Sequence, residues 1–226
     1  QSINVSIIVA VIVSLIGIYG TETILLFLKT GKDVIAYAVE YIRVIFFGAI
    51  IFFLLLTINA SLVSRGDTKS LRNILIVSFF LNIILNPIFI FGFYIIPPMG
   101  ISGIALATLC SQLYGLFYII YKVNKTELRN YISFKYFSPK IKLIKDIVRQ
   151  SIPSTVSMGF VGLGVFVLLY YVSLYGDYSA GGYGAALRFE QLFLLPVLGL
   201  NASTLSIVGQ NLGANNFQRI KDTYIK

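Results

Sequence analysis

The sequence predicts an all-α integral membrane protein, a polytopic helical bundle with six transmembrane helices. Hydrophobic residues make up 57% of the 226 residues, charged residues only 12%, and the mean hydropathy is +0.85. Soluble proteins carry charge on about a quarter of their residues. The apolar runs are about twenty residues long, which is the length a helix needs to cross a bilayer. They lack the period-two alternation of outer-membrane strands, so helices are expected.

The composition also excludes several classes of function. The chain has no histidine, and its one cysteine, Cys110, lies within an apolar run, so no disulfide framework or metal-binding spacing is present. No paired carboxylates, nucleophile with base, or phosphate-binding glycines occur, and we therefore expect no enzyme and no cofactor. The net charge of +9 comes from residues between the apolar runs, which indicates membrane orientation rather than nucleic-acid binding.

The first apolar run covers residues 3–19 and continues weakly to residue 28. A short polar turn separates it from a second run over residues 34–63. At a rise of about 1.5 Å per residue, the second run is longer than the hydrocarbon core requires. We expect this second helix to tilt or to protrude from the membrane.

The third predicted span covers residues 71–91, with Asp67 and Ser70 as candidate N-cap residues. An uncharged turn with two consecutive prolines follows, and these prolines forbid a continuous helix. The fourth span covers residues 101–121.

The next connection, residues 122–150, is the longest polar stretch of the chain. Apolar residues recur near helical spacing in its second half, which predicts an amphipathic helix on the membrane surface. The alternative is that this half is the solvated start of the fifth span. The fifth span is expected to begin at Pro153 and the sixth to cover residues 183–212. The basic residues of this connection are Lys122, Lys125, Arg129, Lys135, Lys140, Lys142, Lys145 and Arg149.

The distribution of basic residues predicts the orientation of the chain. Residues 64–72, the connection 122–150 and the C-terminal tail hold most of the lysines and arginines, so we expect them to be cytoplasmic in a plasma (inner) membrane protein. The other connections hold few charges. The connections predicted to be cytoplasmic and those predicted to be external alternate along the chain, as six spans require.

Two asparagines stand out in the third span. Asn82 and Asn86 are four residues apart and share one face of the helix. Such amides either coordinate a desolvated cation or bond to neighbouring helices, and the residues alone leave both alternatives open. Pro87 leaves the carbonyl of Ile83 without its helical donor, which adds a polar group at the same place.

Three further polar side chains lie within the apolar runs. Thr108 follows a stretch of small residues in the fourth span, although such a hydroxyl most often bonds to its own helix. Tyr41 and Asn59 lie in the second run. Each alone is a weak signal of a site.

Four phrases resemble the multidrug and toxic compound extrusion (MATE) family, in its DinF-like branch. They are ASLVSRGDTK, LNPIFIFG, MGISGIALAT and GQNLGANNFQRI. The resemblance spans nearly the whole chain and implies a fold of twelve helices in two lobes. It implies that residues 1–121 are helices three to six, that residues 122–150 are the linker between the lobes, and that residues 151–226 begin the second lobe. The chain, which starts at Gln1 without Met, is then expected to be a fragment whose other helices belong to the same polypeptide.

The resemblance also implies a function. Family members lie in the lipid bilayer and export small cationic, amphipathic compounds in exchange for Na⁺ or H⁺, and no cofactor is needed. By resemblance, the coupling cation would bind near Tyr41, Asn59, Asn82, Asn86 and Thr108, beside an aspartate of the first helix. Asn86 departs from the family pattern, which often has Asp at this position.

Two other functions are considered as well. A flippase for lipid-linked saccharides shares the two-lobe fold but should line its cavity with several basic residues, and the spans offer only Arg43 and Arg188. A membrane receptor or scaffold without transport has no positive feature in the sequence.

Overall fold

The computed structural model describes residues 1–127, 129 and 138–225, and every regular element in them is an α-helix. The middle of the predicted linker lies outside the described residues. In chain order the helices are α1 (Ser2–Phe27), α2 (Lys32–Phe47), α3 (Ala49–Val63), α4 (Lys69–Phe91), α5 (Gly100–Asn124), α6 (Ile141–Ser173), α7 (Asp177–Gly213) and α8 (Phe217–Ile225).

The helix lengths confirm the prediction of an all-helical membrane protein. Five helices, α1, α4, α5, α6 and α7, are each long and apolar enough to cross a bilayer. Together α2 and α3 would make a sixth span. The polar turns between them lie where the sequence predicts connections.

The second predicted span is not one straight helix. It bends by 47° between α2 and α3, at Gly48, where the side chain of Leu109 of α5 packs so closely that a Cβ would overlap it. Glycine weakens the helix and admits this neighbour, which makes it a common site of kinks. The overlong run is therefore accommodated by a bend, and the prediction of a single tilted or protruding helix is wrong.

The structure also corrects the start of the fifth span. Helix α6 runs without a break from Ile141 through Pro153, so the separate surface helix expected before Pro153 is not present. Hydroxyls on both sides of the proline bond to carbonyls of the preceding turn, Ser151 to Ile147 at 2.8 Å and Thr155 to Ser151 at 2.9 Å. Such bonds help a helix to tolerate an internal proline. The amphipathic stretch is the beginning of the spanning helix, as the alternative interpretation has it.

The buried core lies where α3, α4 and α5 meet. The end of the bundle that holds the turn between α3 and α4 is called the basic end, because Arg65, Lys69 and Arg72 lie in or beside that turn. Helices α3 and α5, which are distant in sequence, run parallel to each other, and α4 runs antiparallel to both. The core residues are Leu55, Ile58, Leu62, Ile74, Leu116, Ile119 and Val123.

Helices α6 and α7 touch the other helices mainly near the two ends of the bundle. At the opposite end, the Ser173 hydroxyl donates to the Leu28 carbonyl at 2.6 Å, and the Asp177 carboxylate accepts from the Gly31 N–H at 3.1 Å. We call these bonds the opposite-end contact. They join the α6–α7 turn to the α1–α2 turn.

A second pair of bonds lies at the basic end. Ser206 and Gln210 of α7 donate to the carbonyls of Val63 at 3.0 Å and Ser64 at 3.1 Å. We call these bonds the basic-end contact. Helix α7 has no fully buried residue, and these hydrogen bonds to main-chain groups join its two ends to the rest of the bundle.

Candidate functional site

The seam between α4 and α5 combines polar side chains with small ones. On α4, Ser78, Asn82 and Asn86 follow one another at intervals of four residues, and on α5 small residues recur at the same interval. Residues four apart lie on one face of a helix, and small residues let two helices approach closely. The small residues of this α5 stripe are Gly103, Ala107, Ser111 and Gly115, all of them buried.

The register of the seam is set by its glycines. A Cβ built on Gly103 would lie 2.6 Å from the Phe89 carbonyl oxygen, and one on Gly115 would lie 2.7 Å from the Ile74 side chain. A larger residue at Gly103 would therefore separate the two backbones, and one at Gly115 would require the side chains of Ile74 and Leu55 to move. This close approach brings the middle of α4 directly against Ser111.

Asn82 is held by two hydrogen bonds. Its Nδ2 donates to the Ser78 carbonyl at 2.9 Å and to the Ser111 Oγ at 3.0 Å. Ser111 is fully buried and donates its own proton to the Ala107 carbonyl at 2.9 Å. Both N–H groups of the Asn82 amide are thus engaged, and its oxygen is the group left to accept a donor or to coordinate a cation.

Asn86 lies one helical turn further along the same face, about 6 Å from Asn82 along the axis. Its amide oxygen is buried and has no hydrogen-bond partner among the described residues. An unsatisfied buried polar atom costs about 1 to 3 kcal/mol. A donor or a cation at this oxygen would relieve that cost.

Thr108 lies on α5 at the height of Asn86, between Gly103, which packs on Phe89, and Ser111, which packs on Asn82. Its hydroxyl donates to the Ile104 carbonyl of its own helix at 3.1 Å. The hydroxyl oxygen keeps lone pairs for coordination, but its proton already has an acceptor. The structure therefore places Thr108 near the height of Asn86, with its hydroxyl bonded within α5.

The structure does not bring Asn59 to this place. Leu55 of α3 packs against Gly115 of α5. Asn59 lies one turn beyond Leu55 toward the basic end, and Ser111 lies one turn before Gly115. About 12 Å of helix rise therefore separates Asn59 from Ser111. The Asn59 amide oxygen is buried and has no partner among the described residues. It is a separate unsatisfied group near the basic end.

Tyr41 lies on α2, seven residues before Gly48, which packs on Leu109 of α5. About 10 Å of helix rise therefore separates Tyr41 from the height of Leu109. Of the five predicted site residues, the structure has Asn82 and Asn86 on one face of α4, with Thr108 of α5 near the height of Asn86.

Sequence reasoning missed two members of the site, Ser78 and Ser111. Ser78 Oγ donates to the Ser111 carbonyl at 3.3 Å, so the two serines tie α4 to α5 beside Asn82. Ser78 could have been found from its spacing of four to Asn82. Ser111 could not, because its role depends on which residue of α5 lies opposite Asn82.

The chemistry of the seam is that of neutral oxygen ligands. The described residues contain no group of three His, Cys, Asp or Glu side chains that could hold a metal ion. Amide and hydroxyl oxygens suit hard cations such as Na⁺. Neither group titrates near neutral pH, so these side chains cannot carry a proton themselves.

Comparison with known proteins gives a consistent result. The MatE family model matches residues 1–88 and 153–226. The chain is 31% identical over 209 residues to the probable multidrug resistance protein YpnP of Bacillus subtilis, covering 90% of this chain and 44% of that protein. It is 30% identical over 232 residues to the multidrug export protein MepA of Staphylococcus aureus, covering 98% and 48%. The chain thus spans about half the length of the curated relatives it matches.

Solved structures resemble the chain over its whole length. A MOP superfamily transporter from Pyrococcus furiosus superposes with a TM-score of 0.79 at 28% identity, covering 99% of this chain and 49% of that one. An outward-facing multidrug resistance MATE family transporter gives a TM-score of 0.78 at 27% identity, with the same coverage of 99% and 49%. An inward-facing structure of such a transporter gives 0.75 at 26% identity, covering 99% and 50%.

Proposed function

The chain belongs to the MatE family, and from this we propose that it forms half of a secondary active transporter that exports small cationic, amphipathic compounds in exchange for Na⁺ or H⁺. Its membership confirms the resemblance seen in the sequence motifs. The names of the relatives point to transport rather than catalysis. The first matched segment would belong to one lobe and the second to the other.

The observation that carries the proposal is the polar seam between α4 and α5. A membrane interior offers no partner for an amide oxygen. Yet Asn86 has a buried amide oxygen without a partner in the part of the chain that the structure describes, and Asn82 has another with both N–H groups engaged. Two such oxygens on one helix face, with the Thr108 hydroxyl at the same height, make a set of cation ligands. We infer that Na⁺ is the cation these residues can hold, and that H⁺ coupling would need a carboxylate outside the seam.

The contacts of α6 and α7 support transport by alternating access. The opposite-end contact and the basic-end contact join the two matched segments at the two ends of the bundle. Each contact uses main-chain partners, and a net hydrogen bond is worth only about 0.5 to 1.5 kcal/mol. We propose that the two contacts break in turn as the lobes rock. The basic end would be cytoplasmic, as the arginines and lysines of the 64–72 turn favour.

The proposal can be tested with the full-length protein in everted membrane vesicles. Vesicles loaded with Na⁺, or acidified inside, receive a lipophilic fluorescent cation as substrate, and the release of Na⁺ or H⁺ is recorded. We expect substrate to trigger release of the coupling ion. Asn82→Ala should raise the Na⁺ concentration for half-maximal transport by about tenfold or more, because a contact to a charged group is worth about 1.5 to 3 kcal/mol.

Asn124→Ala provides the matched control, since it removes the same amide from an exposed position at the end of α5. This variant should transport as the parent does. Vesicles that release neither ion on addition of substrate would contradict the proposed exchange. Normal ion release by Asn82→Ala at equal expression would limit Asn82 to helix packing.

A further inference from the structure

A cluster of three cations and two tyrosines lies at the basic end of α4 and α5. We call it the basic patch and define it as Arg72, Lys122, Lys125, Tyr118 and Tyr121. The Lys122 ammonium lies 5.6 Å from the centre of the Tyr118 ring, and the Lys125 ammonium lies 4.4 Å from that of Tyr121. These distances are those of cation–π contacts.

A chain of hydrogen bonds joins Arg72 to the same cluster. Its Nη2 and Nε donate to the Asn73 amide oxygen at 3.1 and 3.3 Å, and the Asn73 Nδ2 donates to the Tyr118 hydroxyl at 3.4 Å. The guanidinium of Arg72 on α4 and the ammonium of Lys122 on α5 are therefore both held beside Tyr118. The cations are positioned by neutral groups.

No carboxylate neutralises the basic patch in the described part of the chain. The neighbouring Glu127 pairs with Arg65 at 3.3 Å, and the other ion pair lies between α1 and α2. Both oxygens of Asp67 accept hydrogen bonds from Ser70, and these bonds lower the pKa of its carboxyl group most, with a smaller lowering from the charge of Lys122. Three cations thus converge without an acidic partner within ion-pair distance.

An exposed apolar stripe continues from the basic patch along α5. Leu113, Phe117 and Tyr121 are spaced four residues apart, and 36%, 68% and 53% of their surfaces are exposed. Tyrosines flanked by lysines are typical of the membrane–water interface, with the apolar side chains toward the hydrocarbon. One helix face therefore offers cations at the level of the headgroups and apolar surface at the level of the acyl chains.

We propose that the basic patch binds the headgroup of an anionic phospholipid, such as phosphatidylglycerol. Arg72 and the two lysines would donate to the phosphodiester, as basic side chains do at anionic headgroups. An acyl chain would lie along the apolar stripe. The charge complementarity and the continuity of the stripe with the cations favour a lipid over a soluble phosphate. This site is distinct from the α4–α5 polar seam and does not depend on the transported substrate.

Native mass spectrometry of the full-length protein in detergent tests this assignment. Dioleoylphosphatidylglycerol and dioleoylphosphatidylcholine are added separately, and the lipid adducts retained are counted. We expect retention of phosphatidylglycerol over phosphatidylcholine. In the double variant Lys122→Gln/Lys125→Gln, retention of phosphatidylglycerol should fall by about fivefold for each charge removed.

Two matched variants complete the experiment. Lys142→Gln/Lys145→Gln removes the same charge from α6 and should keep the lipid preference, and Lys122→Arg/Lys125→Arg should keep it because the charges remain. Equal retention of both lipids by the parent, or undiminished phosphatidylglycerol binding by the glutamine variant, would overturn the proposal. Displacement of the lipid by glycerol phosphate at equal concentration would assign the patch to a soluble anion instead. Unfolding of the glutamine variant would show in its melting curve. In that case the proposal is judged from the lipid preference of the parent and from that of the arginine variant.

Discussion

Ser111→Ala tests whether the seam between α4 and α5 orients Asn82 for coupling. The substitution removes the Oγ that accepts one N–H of the Asn82 amide at 3.0 Å. The other N–H keeps its bond to the Ser78 carbonyl. A single interhelical hydrogen bond in a membrane is worth about 0.6 to 2 kcal/mol, so we expect the melting temperature to fall only slightly.

The effect on coupling is expected to be larger than the effect on stability. An Asn82 amide held by one bond instead of two can turn its oxygen away from a cation. If the whole of this bond energy is lost from cation binding, the Na⁺ concentration for half-maximal transport rises by about 3- to 30-fold. Everted vesicles with a graded Na⁺ load measure this value.

Ser102→Ala is the matched comparison. It removes the same hydroxyl from α5, where Ser102 donates to the Met99 carbonyl at 2.7 Å, so it leaves Asn82 in place. We expect it to keep the parent's Na⁺ dependence. The reasoning is refuted if Ser111→Ala also has the parent's Na⁺ dependence.

Two further predictions concern stability. Gly103→Ala should cost about 1 to 3 kcal/mol, because its Cβ would lie 2.6 Å from the Phe89 carbonyl oxygen, whereas Gly164→Ala enters open space and should melt at the same temperature or higher. Equal melting of the two variants in detergent would argue against the close approach of α4 and α5. Hydrogen bonds from Ser70 hold the pKa of Asp67 below its ordinary value of 3.8, so the charged carboxylate stabilises the fold at neutral pH and this contribution is lost as the pH falls through the lowered pKa. Asp67→Ala should therefore cost about 1 kcal/mol at pH 7 and less at a pH below 3.8, where this contribution begins to be lost, and a cost that does not change with pH would contradict this assignment.

The helices were largely predictable because each depends on local properties of the chain. Long apolar runs and the polar turns between them place α1, α4 and α5 to within a few residues, and α7 likewise apart from its start, which is at Asp177 rather than at residue 183. The bend at Gly48 was not predicted, because it depends on Leu109, which is distant in sequence. The sequence predicts the continuity of α6 through Pro153 only as an alternative, because the surroundings of a proline determine whether a helix tolerates it.

The candidate site was predictable in part. Asn82 and Asn86 could be identified from their spacing, because two residues four apart share a helix face wherever that helix lies. Tyr41 and Asn59 are weak signals on their own and join the set through the family resemblance. In this structure Asn59 lies about 12 Å along the bundle axis from Ser111, and Tyr41 lies about 10 Å from the height of Leu109. Their part in coupling stays a prediction that substitution in the vesicle assay can test.

Local sequence patterns are sufficient to predict a helical membrane protein, the approximate positions of its apolar spans, and the polar residues within them. Hydropathy, proline and glycine act over a few neighbouring residues, so these features need no knowledge of the fold. The bond between Ser111 and Asn82, and the Asn86 oxygen that has no partner among the described residues, are features of the tertiary structure. These facts depend on the register between α4 and α5, which is set by the contacts of Gly103 and Gly115 with residues of another helix.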